Sequence, residues 1–434
     1  MKKYFIFIFL FVIIACSENT EKDLKNINSI AEEYVVLVHI IGKYDTDYVD
    51  AYFGPDSLKQ KALNDSSSLR SVKLRILDLT KDLDSLIKIT KIDLVKNLRI
   101  KFLKQMLSSM NFKVNSLLGF KSTFDEECKE LYGAVSPKYN DEYYQAIINE
   151  LELELLGKGS ILDRYKVFKE KFIIPTEKVD TVFKVALNEA KKQTKSFIEM
   201  PHYEDLQLEY VRDKAWSGYN WFQGDGFSLI QINLDQPIYI ERAIDLAAHE
   251  AYPGHHAHHT LMEDTYVKDS NWVEFTIYPL FSPMSLISEG SANYGIEVAF
   301  PGESKLKFEK EYLYPLAGLD SSLAEKYNKI QSLISKLDYA GNDAARMFLD
   351  GEFNEEQTID YLVNYNLMTK ERAKQRLNFI KKYRAYVINY NVGLDMVRDF
   401  VIRNGGTSDN PKKRWLIFED LIRNPYLPSD LEVK

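Results

Sequence analysis

Hydrophobic and polar residues follow a helical repeat through the first half of the chain. From about Ile27 to Ile198, apolar residues recur three and four positions apart, which is the spacing of one buried helix face. One such series is Leu69, Val72, Ile76, Leu79, Leu83 and Leu86. The pattern therefore predicts several amphipathic helices that pack together as a bundle.

The pattern changes in the middle of the chain. Trp216–Asn233 is rich in glycine and aromatic residues, and its last part, Ser228–Asn233, predicts a short strand. Pro237 then opens a predicted helix that runs directly into His249. After Pro301 the helical repeat returns. The expected fold is mainly α, a large helical bundle with a small β element beside the helix that carries His249.

The change in composition also suggests how the bundle is divided. We predict an N-terminal helical lobe of residues 17–200 and a second helical lobe of residues 201–434, which contains the histidine motif described below. The chain is 45% apolar and contains 28 tyrosines and 24 phenylalanines. A chain of this length and composition can bury a core large enough for one large domain or for two lobes.

The N-terminus has the pattern of an export signal. Two lysines precede the apolar run Tyr4–Ile14, and Ala15 and Cys16 follow it. The run is too short for a permanent membrane span, whereas a small residue before a cysteine suits cleavage and acylation. We predict a lipoprotein signal peptide at residues 1–16 with Cys16 as the lipidation site. The expected location is the bacterial cell envelope, with the lipid anchor in the outer membrane.

Cysteine content and charge exclude some functions. Once Cys16 carries a lipid, Cys128 has no partner for an intramolecular disulfide, so packing must stabilise the fold. The formal net charge is −8, which makes nucleic acid an unexpected partner. The sequence also points to no protein partner.

A cluster of histidines carries the chemical signal. Five of the seven histidines fall between positions 249 and 259: His249, His255, His256, His258 and His259. Imidazoles and a carboxylate are the ligand set of a catalytic zinc, which keeps three protein ligands and one position for water. Glu250, beside His249, is placed to take a proton from that water. Without a site, the tract would be a solvated loop that chelates metal adventitiously.

The spacing within the motif departs from His-Glu-x-x-His because Pro253 stands where the second histidine would be. On a regular helix a residue six positions on is rotated by about 240°, and one seven positions on by about 340° with a rise of roughly 10.5 Å. Pro253 and Gly254 favour a break that brings a later histidine back toward His249. We favour His255 as that ligand and keep His256 as the alternative.

Other readings of the cluster stay open. His255 and His259 have the regular four-residue spacing and form a competing pair, although this pair leaves His249 and Glu250 unexplained. Asp245 lies one turn before His249 and could orient its ring.

At this point the sequence resembles a known family, the bacterial proteins with domain of unknown function 885, many of which are predicted lipoproteins. The motif His-Glu-Ala-Tyr-Pro-Gly-His-His at positions 249–256 is similar to theirs without a gap. Further similar segments cover about Trp216 to Ile402 and include Ile232-Asn233, Glu289-Gly290 with Tyr294 and Glu297, and Tyr390 with Gly393.

The segment Ser288–Tyr294 also looks like the second-helix motif of the gluzincin peptidases, in which a glutamate before glycine is the third zinc ligand. The resemblance implies that Glu289 is a ligand of Zn²⁺ and that the bundle is gluzincin-like. Separately, Tyr390, or Tyr386 one turn before it, is a candidate phenol for stabilising an oxyanion. Arg384 is a candidate for binding a substrate carboxylate.

These features together predict a zinc-dependent hydrolase, with a peptide as the expected substrate. An extended peptide could pair with an exposed edge of the strand Ser228–Asn233, so Asn233 is a candidate substrate-binding residue. The alternative is a catalytically inactive lipoprotein that binds a metal or a peptide. The presence of Glu250 favours the enzyme, because metal binding alone requires no carboxylate beside the first ligand.

Overall fold

The structure is a computed structural model that describes residues 26–89, 94–214 and 216–432. The predicted signal peptide at residues 1–16, with Cys16, lies outside the described residues. None of the helices within the described ranges has the length and apolar character of a membrane span.

The described residues are mostly helical, and the prediction of a mainly α fold with a small β element is confirmed. In chain order the helices are α1 (residues 26–42), α2 (Asp56–Asn64), α3 (Leu69–Ile89), α4 (Leu94–Leu117), α5 (Phe124–Tyr132), α6 (Asp141–Glu154), α7 (Ile161–Lys169), α8 (Val179–Lys195), α9 (Glu241–Leu246), α10 (His255–Met262), α11 (Pro283–Ala299), α12 (Ser304–Phe308), α13 (Tyr314–Ala317), α14 (Ala324–Lys336), α15 (Tyr339–Leu349), α16 (Glu355–Tyr365), α17 (Lys370–Tyr383), α18 (Asn391–Arg403), α19 (Pro411–Arg423) and α20 (Pro428–Leu431). The strands are β1 (Val49–Tyr52), β2 (Asp205–Val211), β3 (Gly218–Phe222), β4 (Phe227–Asn233) and β5 (Ile277–Pro279).

The chain divides into two compact units. The first comprises the described residues up to Phe120 together with Thr265–Ser282, and the second comprises Lys121–Asp264 and Pro283–Lys434. The boundary predicted near residue 200 falls inside the second unit. The change in composition at that point marks the start of a sheet rather than a division between units.

The first unit combines helices with a small sheet. β1, in the segment between α1 and α2, pairs antiparallel with β5. Arg99 on α4 donates from Nε to Glu274 Oε1 at 2.6 Å, and both side chains are almost fully buried. A buried carboxylate of this kind requires a bonded cation, since an unpaired buried charge is strongly destabilising.

The second unit has its core where α8, α9, α10, α11, α18 and α19 meet one face of a three-stranded sheet. The sheet order is β2-β4-β3, with β2 parallel and β3 antiparallel to β4. The predicted strand Ser228–Asn233 is confirmed as β4, the central strand, and Ile230 and Ile232 bury their side chains in the core.

The helix predicted to start at Pro237 begins later, at Glu241. Tyr239 forms a β-bridge with Ile173, and Ile174 donates its backbone N–H to Ile238 O at 2.8 Å. These extended backbone contacts delay the helix because the residues that make them cannot have helical dihedral angles.

Helices α11 and α18 cross with their backbones in contact. A Cβ atom placed on Gly290 would lie 2.4 Å from the carbonyl carbon of Gly393, and one placed on Gly393 would lie 2.6 Å from Leu286 O. Glycine on both helices therefore permits the close approach. The crossing carries Tyr390, at the start of α18, toward Glu289.

We expect Gly290→Ala to destabilise the second unit. Overpacking at a backbone contact costs about 1 to 3 kcal/mol, more than the roughly 1 kcal/mol that replacing a helical glycine with alanine gains. The measurement is the free energy of unfolding from denaturant titration. Gly341→Ala on α15 is the matched control, since its added Cβ would lie 3.5 Å from the nearest atom, an ordinary contact. Equal stability of the two variants would contradict the argument.

Candidate metal centre

The motif helix breaks between the first two predicted ligands. After α9 the chain makes a π-helical turn at Ala247–Ala251, leaves the helix at Tyr252 and begins α10 at His255. Gly254 donates its N–H to Ala248 O at 2.9 Å, and a Cβ atom on Gly254 would lie 1.9 Å from His249 O. Only glycine fits such a close backbone approach.

The break brings two histidine rings and one carboxylate together. His249 Nε2 lies 3.1 Å from His255 Nε2 and 3.4 Å from Glu289 Oε2, and His255 Nε2 lies 3.9 Å from Glu289 Oε2. Ligand atoms about 2.0 to 2.1 Å from a tetrahedral zinc lie roughly 3.3 Å apart. The three side chains therefore have the donor types and the spacing of a zinc site.

One atom of this group has no protein partner. Glu289 Oε2 is buried and accepts no hydrogen bond. A buried carboxylate oxygen that is left unpaired is costly, and a cation between it and the two Nε2 atoms would remove that cost. The residues present therefore fit a divalent metal.

Hydrogen bonds outside the group fix the orientation of all three side chains. Asn293 Oδ1 lies 3.0 Å from His249 Nδ1, and Asn293 Nδ2 donates to Tyr390 O at 3.0 Å. Because the amide nitrogen is used there, Oδ1 accepts from His249 Nδ1–H and leaves Nε2 as the lone-pair donor. Ser288 Oγ lies 3.1 Å from His255 Nδ1.

The remaining oxygen of Glu289 is bonded on the opposite side of the carboxylate. Tyr386 donates its hydroxyl to Glu289 Oε1 at 2.9 Å.

Asn293 and Ser288 were not predicted as site residues from the sequence. Asn293 lies four residues after Glu289, the spacing of one helix face, and this spacing could have indicated it. Asp245, the predicted partner of His249, instead pairs with Lys305.

Burial sets the protonation states of the group. Desolvation, reinforced by the electrostatic interaction with nearby His249, lowers the pKa of His255 to about 3, so the ring is neutral as a ligand must be. Burial raises the pKa of Glu289, but its electrostatic interactions with His249 and His255 and the hydrogen bond from Tyr386 outweigh burial, so the pKa lies below its usual value.

Glu250 lies beside the group on the buried side of the π-helical turn. Its side chain is 5% exposed, and burial raises its pKa to about 7. Asn220 on β3 donates Nδ2 to Glu250 O at 2.6 Å, and a Cβ atom on Gly218 would lie 3.1 Å from Glu250 Oε1. The carboxylate therefore faces the backbone of β3.

Tyr390 also belongs to this region. Tyr390 is hydrogen-bonded to Tyr386, and the two ring centroids are 5.8 Å apart. It also interacts electrostatically with Glu289 and Glu250. Burial raises its pKa, so its hydroxyl stays protonated.

The structure places His256 outside the group. Its Nε2 lies 2.9 Å from Glu204 Oε2 and its Nδ1 lies 2.8 Å from Ser228 Oγ, so both ring nitrogens are engaged elsewhere. His255 is thus the second ligand candidate, and the alternative prediction that His256 is this ligand is wrong. The alternative pair was His255 with His259. Their rings are stacked with centroids 6.0 Å apart, but His259 is not in the group of possible ligands, which contains His255 with His249 and Glu289.

Two predicted substrate contacts are also engaged elsewhere. Arg384 Nε donates to Glu127 Oε2 at 2.8 Å, so its guanidinium is bound to a carboxylate of α5. Asn233 Nδ2 donates to Lys214 O at 3.0 Å and to Trp216 O at 2.9 Å. Asn233 Oδ1 accepts from the backbone N–H of Asp235, so both polar atoms of the side chain are engaged within the protein.

Removing either histidine of the group should remove the metal. We expect about one zinc per wild-type chain after dialysis against a weak chelator and almost none in His249→Ala or His255→Ala. Mass spectrometry of the metal content measures this. His202→Ala, outside the group, is the control and should retain the ion. Zinc retained by all the variants would exclude this site.

Asn293→Ala should weaken the zinc without abolishing it. Loss of the partner that orients a ligating histidine typically costs about 10- to 100-fold in metal affinity. Competition with a chromophoric chelator gives the dissociation constant. An unchanged constant in a folded variant would show that Asn293 does not orient His249.

No protein-family model matches the chain, and no curated protein matches it. Among solved structures, a protein from Colwellia psychrerythraea described as a "putative lipoprotein" has a TM-score of 0.52 and 14% identity, covering 84% of this chain and 68% of that one. A protein designated BsuCP has a TM-score of 0.47 and 10% identity, covering 93% of this chain and 90% of that one. At 14% identity, the likeness to the Colwellia psychrerythraea protein is a likeness of fold.

Proposed function

We propose that the protein is a zinc-dependent hydrolase that cleaves peptides. The observation that carries this proposal is the convergence of His249 Nε2, His255 Nε2 and the unpaired Glu289 Oε2 beside the buried carboxylate of Glu250. A zinc ion held by these three atoms would supply a Lewis acid that acidifies water and polarises a carbonyl.

Glu250 is the general base and acid in this proposal. It follows His249 directly in the chain and interacts electrostatically with both His249 and Glu289. A carboxylate with a raised pKa can take a proton from the attacking water and return it to the leaving amine near neutral pH. Its burial against β3 restricts the carboxylate to this position.

Tyr390 would donate a hydrogen bond to the oxyanion of the tetrahedral intermediate. Its hydroxyl stays protonated because burial raises its pKa, and Tyr386 holds it through a hydrogen bond. Tyr386 donates its one hydroxyl hydrogen to Glu289 Oε1, so Tyr390 donates to Tyr386 when no substrate is bound and would redirect this hydrogen to the oxyanion.

The sheet favours a peptide as the substrate. β3 pairs with β4 on one side, and no other described strand pairs with its second side. An extended peptide could add to this free edge and so pass along the strand that faces Glu250. β2 and β3 are the edge strands of the sheet, and β3 is the one that faces Glu250, whereas the predicted edge, Ser228–Asn233, lies in the centre of the sheet.

We further propose that the enzyme acts at the bacterial cell envelope, exported and anchored by a lipid on Cys16. The support is the N-terminal pattern of an apolar run followed by Ala15 and Cys16. The Colwellia psychrerythraea protein of similar fold is itself described as a "putative lipoprotein". Short peptides would be the substrates that reach an enzyme in that location.

Replacing Glu250 with Gln should abolish turnover and spare the metal. The amide is isosteric but cannot accept the proton, and loss of a general base costs about 10²- to 10⁴-fold. The measurement is cleavage of a mixed library of short peptides by zinc-loaded protein, read by mass spectrometry, with zinc content determined on the same samples. Glu311→Gln, an exposed carboxylate, is the control and should match wild type.

Two results would contradict this proposal. Equal cleavage by Glu250→Gln and wild type would exclude Glu250 as the base. Zinc binding by wild type without cleavage of any peptide in the library would favour the alternative, a lipoprotein that binds metal or peptide without turnover.

A further inference from the structure

Two residues of the motif have no place in the metal group, and both bind the same carboxylate. Tyr252 donates its hydroxyl to Glu204 Oε2, and His256 Nε2 lies 2.9 Å from that oxygen. Glu204 lies 48 residues before Tyr252 and 52 before His256, immediately before β2. Tyr252 and His256 stand on either side of the break formed by Pro253 and Gly254.

Glu204 is buried as a charged group. Its side chain is 1% exposed, and its other oxygen, Oε1, lies 2.5 Å from Lys195 Nζ and 3.3 Å from Lys191 Nζ. Both lysines are on or at the end of α8. A buried carboxylate is stable only with such partners, so the two cations keep Glu204 ionised and able to accept hydrogen bonds through both oxygens.

An ionised Glu204 fixes the ring of His256. The carboxylate accepts from His256 Nε2–H, so Nδ1 of the neutral ring accepts from the hydroxyl of Ser228 on β4 at 2.8 Å. The ring therefore cannot rotate or tilt without losing one of the two bonds. His255, the neighbouring residue, is fixed with it at the start of α10.

The other side of the break is fixed in the same way by Tyr252, whose side chain is fully buried. The backbone contributes hydrogen bonds from Tyr252 N to Ala247 O at 3.2 Å and from Gly254 N to Ala248 O at 2.9 Å. A regular helix would place His255 about 240° around from His249. The departure from the helix therefore needs an anchor from outside the motif.

We propose that Glu204 is a positioning residue of the metal centre: by binding Tyr252 and His256 it clamps both ends of the break and sets the 3.1 Å separation of His249 Nε2 and His255 Nε2. This inference rests on the proposed function, because it concerns the metal of that site. It assigns a role to the two motif residues that neither hold the metal nor transfer a proton.

Glu204→Gln tests the clamp. The amide carries no charge and keeps one acceptor oxygen in place of two, so it cannot accept both from the lysines and from Tyr252 and His256. Any bond it keeps to Tyr252 or His256 is weaker than a bond to a carboxylate. Glu274→Gln is the matched control, since Glu274 is also a fully buried carboxylate bonded to a cation, but in the first unit. The measurements are the melting temperature of the metal-free proteins and the zinc dissociation constant by chelator competition.

We expect both variants to melt earlier than wild type, but only Glu204→Gln to bind zinc more weakly, by about 10- to 100-fold as for other residues that orient ligands. The visible spectrum of the cobalt-substituted protein, which reports ligand geometry, should change in the same variant alone. Zinc affinity and cobalt spectrum unchanged in a folded Glu204→Gln would overturn the proposal.

Milder variants cover the case in which Glu204→Gln does not fold. Tyr252→Phe and His256→Leu each remove one of the two bonds, because neither new side chain can donate to Glu204, and each should raise the zinc dissociation constant by several fold. Wild-type affinity in both would overturn the clamp. If wild type itself binds no zinc, the proposed function fails together with the clamp. If wild type binds zinc and all the variants bind it equally, only the clamp fails.

Discussion

The helix break between His249 and His255 is the constraint on which the centre depends. Two histidines six residues apart cannot share a face of a regular helix, so their Nε2 atoms meet only because the chain leaves the helix at Tyr252 and starts again after Gly254. The π-helical turn before the break adds to this change of direction. The backbone carbonyls of Ala248 and His249 then approach Gly254 so closely that no side chain fits there.

A single helix supplies the other half of the centre. α11 carries Ser288, Glu289 and Asn293, so one rigid element provides a ligand candidate and the hydrogen-bond partners of both histidines. The glycine contact between α11 and α18 lies close to the 3₁₀-helical segment Arg384–Asn389 before α18, from which Tyr386 donates to Glu289. Sites on helices are more precisely held than sites on loops, which suits a metal centre that tolerates little variation in distance.

Much of this arrangement could be predicted from the sequence, because its signals are local. The helical repeat, the strand at Ser228–Asn233 and the effect of Pro253 and Gly254 each depend on neighbouring residues. The convergence of His249, His255 and Glu289 was also indicated by residue types and by resemblance. What spacing could not settle was the choice between His255 and His256, because it depends on Glu204 and Ser228, which are distant in sequence.

The two predicted substrate contacts, Arg384 and Asn233, also depend on partners that are distant in sequence. Arg384 and Asn233 have side chains suited to binding a substrate, but their partners within the fold, Glu127 for one and the loop before β3 for the other, lie on elements that the sequence pattern could not place nearby. The change in composition near residue 200 records the start of a sheet, whereas the two compact units are defined by packing between segments that are far apart in the chain.

The hydrogen bonding of the polar atoms of His249, His255 and Glu289 favours a cation between them. Around the centre, His249 Nδ1, His255 Nδ1 and Glu289 Oε1 each have a hydrogen-bond partner at 2.9 to 3.1 Å, whereas Glu289 Oε2 is buried without one. The outward atoms of the three side chains are therefore bonded to protein, and the three inward atoms face one another. Because Asn293 accepts from the Nδ1–H of His249, the Nε2 lone pair of that ring faces Glu289 Oε2 at 3.4 Å, and the two repel each other unless a positive charge lies between them. A fold that orients three side chains in this way has an arrangement that a bound metal ion stabilises.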